Sequence, residues 1–251
     1  MLILSGATLT ATLGTPGSVV HLCVRVPSSD RSLTVGAVRT LLVADLTRRV
    51  LEDVHRSQVT LTLLAPCPGS LVTPGNLDAW MIRPPVGVFD SADAAAAAVG
   101  APVVLMVTAA GDETAEPALT VGGAVGSEPL DDLIHAGHDP LTLRCVLLST
   151  HYRQQAPPTM ETIADAARLL HRWRQRVADW STHISVPMPA DIIEAAYRAF
   201  DRNLDVPAVL DLMRHLESDA AIAPGAKFET FIHLDRVLAF DLTRDLGGPH
   251  S

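Results

Sequence analysis

The chain has 251 residues, 48% of them apolar, and a formal net charge of −9. That length allows one large domain or two small ones with a substantial buried core. The acidic balance argues against a protein that lives on phosphate backbones, because nucleic-acid affinity comes largely from counterion release by Lys and Arg. Apolar runs such as Val103 to Val107 are too short to span a bilayer. Met1-Leu2-Ile3-Leu4 has neither a basic segment before it nor a sustained apolar stretch after it, so neither a signal peptide nor a membrane span is expected. Cys23, Cys67 and Cys145 cannot all pair and none forms a CxxC, which fits a reduced, cytoplasmic setting. Of the 19 basic residues, Lys227 alone is a lysine; this bias, with abundant Ala, Leu and Asp, points to a GC-rich coding genome more than to a binding surface.

No period of 20 to 50 residues is visible, which argues against a repeat architecture. Val19 to Val26 reads as a buried strand, followed by a loop from Pro27 to Leu33. Val35, Val38, Leu42, Leu46, Val50 and Val54 step at threes and fours along a long amphipathic helix, with Asp30 or Ser32 as a cap at its start. Gln58 to Leu64 is a second strand, ended by Pro66-Cys67-Pro68-Gly69. Strand, helix and strand in this order imply a βαβ unit with parallel strands. A Pro/Gly-rich stretch leads to an alanine helix from Ser91 to Val99 and a third strand from Pro102 to Ala109. Residues 110–129, with Gly122-Gly123 and Gly126, read as a mobile loop.

Near residue 137 the character changes and helical periodicity takes over. Five helices are expected: Pro140 to His151, Thr159 to Thr182, Met188 to Phe200, Val206 to Ala221 and Lys227 to Leu242. Trp173, Trp180, Tyr197, Phe200, Phe228 and Phe231 read as bundle core, and His171 and His183 as surface or packing residues. The fold class is therefore α/β: a small Rossmann-like parallel-sheet domain, residues 1–136, followed by an all-α helical bundle domain, residues 137–251.

The block from Gly137 to Arg153, Gly-His-Asp-Pro-Leu-Thr-Leu-Arg-Cys-Val-Leu-Leu-Ser-Thr-His-Tyr-Arg, resembles the segment that follows the signature lysine loop of class I cysteinyl-tRNA synthetases and of the mycothiol-pathway cysteine ligase. Asp131 to Gly137 resembles the helix after that loop. Phe200 to Pro207 is similar to the family's acidic hinge between bundle helices, and Leu234 to Leu242 to its last bundle helix. The resemblance covers roughly residues 128 to 246. It implies a nucleotide-binding domain joined to a helical bundle, with the family's anticodon-reading domain falling beyond the last residue, as in the mycothiol-pathway ligase.

The family's catalytic residues have no counterparts under this resemblance. Setting Pro27 on the proline that follows the family's zinc-binding Cys places the HIGH tetrapeptide at Thr34-Val35-Gly36-Ala37. Gly36 and Arg39 fit, and Ser28 keeps a hydroxyl where the family has Thr. Thr34 and Ala37 replace histidines that stabilise charge developing on the ATP phosphates. The zinc position is Arg25, a cation that cannot coordinate zinc, and the other ligands would fall near Phe89 to Asp93, which holds neither His nor Glu. The lysine loop would lie between Leu119 and Ser127, which carries no charge. The resemblance thus implies a truncated relative with degenerate motifs, a pseudoenzyme using no cofactor and no metal. A relict pocket of Arg25, Pro27, Ser28, Thr34, Gly36 and Arg39 would bind a nucleotide or another anion weakly.

Other chemistry is thinly supported. His135, His138 and Asp139 sit together, but Asp139 before Pro140 reads as a helix cap. Ser149 and His151 are two apart on a helix and do not face each other. Cys67 lacks a basic neighbour to lower its pKa. No HExxH, EF-hand loop, GxSxG, GxGxxG or GxxxxGKS/T occurs. The expected role is a binding, regulatory or partner protein, as a homodimer or with another protein. The alternatives are a repurposed ATP-dependent ligase with an altered pocket and a tRNA-binding bundle, the latter opposed by the acidic balance.

Overall fold

Strand residues 19–25 alternate between two cores, and that alternation sets the layers of the protein. The computed structural model describes residues 2–5, 10–13, 17–26, 34–65, 74–112, 117–123, 137–155 and 158–247. β3 (Val19–Arg25), β4 (Gln58–Leu64), β5 (Val88–Phe89), β6 (Leu105–Ala109) and β7 (Ala118–Val121) form one sheet in the order β5-β4-β3-β6-β7, every neighbouring pair parallel. Ahead of it, β1 (Leu2–Ser5) and β2 (Thr10–Leu13) form a separate antiparallel hairpin. Leu22 and Val24 enter the large core on one face, while Cys23 packs with Leu64, Ala95 and Met106 on the other. The second face is covered by α3 (Ala92–Val99), which Ser91 caps through Ala94 N–H and Gly100 ends in the left-handed conformation.

The expected β3–helix–β4 unit is present. α1 (Val35–Arg49) runs on through a π-helical turn, Val50–Val54, before β4. Almost all of α1 is buried, because it lies between the sheet on one side and bundle helices on the other. Its cap is Thr34, whose Oγ1 accepts from Ala37 N–H at 3.1 Å. Asp30 and Ser32, read as caps, lie outside the described residues, as does the loop from Pro27 to Leu33. The 110–129 segment departs from its reading as a loop: it contains β7, paired with β6 from Met106 to Ala109. The Pro/Gly-rich stretch likewise holds a short helix, α2 (Pro74–Ala79), and β5.

All five expected bundle helices form: α4 (Pro140–Leu148), α5 (Met160–Trp180), α6 (Ala190–Asp201), α7 (Val206–Ser218) and α8 (Pro224–Leu238). Asp139 caps α4 and Asp205 caps α7, each before a proline in the first turn. α8 stops at Leu238, short of Leu242, because Ala239 turns left-handed and Asp235 accepts from the N–H groups of Phe240 (2.7 Å) and Leu242 (2.9 Å). Trp173, Phe200 and Phe231 are fully buried; Tyr197 and Phe228 are partly so, and His171 and His183 are exposed. No helix among the described residues is long and apolar enough to cross a membrane.

The apolar core continues from the sheet through α1 into α4, α5 and α8. A buried polar hub crosses it. Asp45 on α1 accepts from Arg49 Nε at 2.8 Å, from an Arg144 guanidinium nitrogen at 2.9 Å and from Arg83 N–H at 3.0 Å. Arg144 also donates to the carbonyls of Leu238 and Trp80, both at 2.8 Å. Burial pushes the Asp45 carboxyl up, but the two guanidinium groups and the Arg83 N–H hold it below the ordinary aspartate range.

Candidate functional site

In an open parallel sheet the ligand crevice lies beyond the carboxyl ends of the strands where strand order reverses. Here that point is between β3 and β6. Arg25 ends β3 and is partly exposed; Thr34 and Gly36 open α1 nearby. Among the described residues, a Cβ on Gly36 would meet nothing closer than Thr34 Oγ1 at 3.9 Å. On the β6 side, the Thr108 hydroxyl donates to Asp112 Oδ2 at 3.0 Å. The Thr108–Asp112 pair has no motif that would have marked it in the sequence. Pro27 and Ser28 lie outside the described residues.

Arg39 differs from its expected place in an open pocket. Its side chain is fully buried and its guanidinium donates to four backbone carbonyls: Gly122 at 2.8 Å, Gln154 at 2.5 Å, His151 at 3.1 Å and Thr150 at 3.3 Å. Its Nε finds no acceptor among the described residues. Burial lowers its pKa to about 10, so it remains a cation at neutral pH. The residue therefore ties α1 to the exit of β7 and to the segment after α4. Gly122 completes this junction: its N–H donates to the Tyr152 carbonyl at 2.7 Å, and a Cβ there would come within 2.5 Å of the Arg153 carbonyl oxygen. Sequence reading found Arg39 but not its partners, which lie 83 to 115 positions away.

The other titratable residues singled out are engaged structurally. His151 Nε2 donates to the Asn203 carbonyl at 3.1 Å while Nδ1 accepts from Arg153 N–H at 3.3 Å. Burial lowers its pKa, consistent with a neutral ring. The Ser149 hydroxyl donates to the Cys145 carbonyl at 2.7 Å, so Ser149 and His151 form no nucleophile–base pair. Burial pushes the Cys145 thiol up to about 11, leaving it protonated. His135 and Cys67 lie outside the described residues. At Phe89 to Asp93, Asp90 accepts from the Ser91 hydroxyl at 3.2 Å, and among the described residues no group of three His, Cys, Asp or Glu is gathered to hold a metal. Two further polar contacts join distant residues: Tyr197 Oη to His233 Nε2 and His55 Nε2 to Asp201 Oδ1, each 2.6 Å. Their members come from distant segments, and no local spacing signals them.

No protein-family model matches the chain. Parts of it are similar to curated L-cysteine:1D-myo-inositol 2-amino-2-deoxy-alpha-D-glucopyranoside ligases. That of Xylanimonas cellulosilytica is 35% identical over 78 residues, covering 31% of this chain and 19% of the relative. That of Rhodococcus jostii is 36% identical over 77 residues, covering 31% and 18%. For Corynebacterium kroppenstedtii the figures are 30% over 104 residues, covering 38% and 20%. The chain thus matches no more than 20% of the length of these relatives. Over 31% to 38% of its own length it is distantly similar to cysteine ligases.

Proposed function

We propose that the chain is a non-catalytic relative of the cysteine ligases that acts as a binding or regulatory protein, in a homodimer or with another protein. What carries this reading is the use made of the start of α1. Amino-acid adenylation needs fixed positive charge and donors around the ATP phosphates, worth roughly 2–4 kcal/mol of transition-state stabilisation each. Thr34 is a helix cap, Ala37 is apolar and Arg39 is held on four carbonyls beneath the crevice. Leu119 and Val121 are buried in the sheet where the lysine loop would begin, and residues 119–127 carry no charge.

Among the described residues, the old pocket keeps Arg25, the α1 N-terminus and a glycine, Gly36, with no close neighbour to its Cβ position. A carboxylate or phosphate is the occupant these features suit, held weakly without lysines. Titration calorimetry with ATP and with a non-hydrolysable cysteinyl-adenylate analogue tests the reading. The expected result is no saturable heat below about 1 mM ligand. Stoichiometric micromolar binding of the adenylate analogue would favour a repurposed ATP-dependent ligase instead.

A further inference from the structure

α6 and α7 pack as a helical hairpin and leave a surface groove of about 410 Å³ between them. Half-buried Ala195, Ala199, Ala208 and Leu212 supply its apolar floor; exposed Arg198 lies on the last turn of α6, and exposed Arg202, the residue that caps its C-terminus, follows four positions on. The acidic groups of the groove are engaged. Asp205 caps α7 by accepting from Ala208 N–H at 3.2 Å, and Asp211 accepts from Arg214 at 2.6 Å. His215 Nδ1 donates to the Asp211 carbonyl at 2.8 Å. The two arginines are much freer. Arg198 makes one long contact, 3.5 Å, to exposed Glu194, and the Arg202 guanidinium makes no hydrogen bond or ion pair among the described residues. The charge left uncommitted is therefore cationic, on a chain whose net charge is −9.

We infer that this groove docks a short, extended acidic peptide segment of a partner protein. Arg202 N–H donates to the Arg198 carbonyl at 3.0 Å, closing the last helical turn, so the two backbones are offset by about 6 Å of rise. Alternate residues of an extended peptide are about 6.7 Å apart and point the same way, so carboxylates at i and i+2 reach both guanidinium groups. The aliphatic side chain between them points the opposite way, across the groove onto Ala208 and Leu212 of α7. A nucleic-acid backbone fits worse, because it offers no aliphatic group for that floor. This inference gives the partner a chemistry and does not depend on whether the crevice at α1 binds a nucleotide.

The test is an NMR titration of the full chain with the peptide acetyl-Gly-Glu-Leu-Glu-Gly-amide, following backbone amides and the arginine Nε–H signals. The expected result is saturable shifts confined to α6 and α7, including Arg198 and Arg202. Glu should outperform Gln, so the Gly-Gln-Leu-Gln-Gly peptide should bind at least tenfold more weakly. Arg198→Glu with Arg202→Glu should weaken binding of the acidic peptide by at least tenfold. Both positions are exposed, and an unchanged circular dichroism melt confirms folding; Ala199→Glu, which fills the floor, provides a second variant. Equal binding of the Gln peptide, undiminished binding by the charge-reversed variant, or no shift at about 1 mM peptide overturns the inference. So does a single-stranded RNA oligonucleotide that occupies the groove more tightly than the peptide.

Discussion

Replacing Asp45 with Asn should strike the junction between sheet and bundle harder than any change in the crevice. Asp45 is fully buried and accepts three hydrogen bonds, two from guanidinium groups that reach it at 2.8 and 2.9 Å. Asn keeps the volume but removes the charge, leaving Arg144 a fully buried cation facing two carbonyls. Breaking a buried ion pair from one side costs about 3–5 kcal/mol. In a domain of this size each kcal/mol lowers Tm by about 2–4 °C, so a fall of about 10 °C is expected. The core is continuous across the junction, so the variant should still melt in one transition by calorimetry. The effect should depend on pH with a definite sign. The folded-state pKa of Asp45 is depressed, so its contribution is fully present above the unfolded value of about 3.9 and is lost as pH falls through the folded value. The gap between parent and Asp45→Asn should therefore narrow below about pH 4. A stability loss under about 1 kcal/mol at pH 7 would refute the reasoning, as would a gap that widens in acid.

Two further outcomes follow from the crevice and its surroundings. Gly122→Ala forces a Cβ to within 2.5 Å of the Arg153 carbonyl oxygen and 2.7 Å of the Gln154 oxygen. It should cost about 1–3 kcal/mol in chemical denaturation, whereas Gly123→Ala, with no described atom within 4 Å of the added Cβ, should be close to neutral; equal effects at the two positions would contradict the stitched junction. Protein purified from zinc-supplemented medium should carry no stoichiometric zinc, given Arg25 at the ligand strand, and elemental analysis finding about one zinc per chain with tetrahedral sulfur and nitrogen ligation would contradict this.

The elements legible in the sequence were those with long, clean periodicity. β3, α1 and β4 were readable because apolar residues alternate and then step at threes and fours, and the bundle helices because Pro and Asp mark their starts. β7 was hidden: four residues followed by Gly122-Gly123 carry too little signal to separate an edge strand from a loop. The hairpin of β1 and β2 leaves equally little trace in the sequence, each strand being four residues long. At the candidate site, Arg39 was legible as a residue but not as a clamp. A buried arginine and a pocket-lining one look identical until the carbonyls at Gly122 and 150–154 are brought to it. The Asp45–Arg144 pair, 99 positions apart, and the groove between α6 and α7 likewise exist only after tertiary packing.

Amino-acid-dependent pyrophosphate exchange with ATP tests the central claim most directly. Losing two phosphate-stabilising groups at about 2–4 kcal/mol each removes roughly a thousandfold or more of rate. The account predicts that exchange with cysteine, and with each of the other common amino acids, stays at the level of a heat-killed control. Exchange above that control, abolished by a substitution at Thr34 or Arg25 that leaves the fold intact, would show a working ligase and contradict the non-catalytic reading.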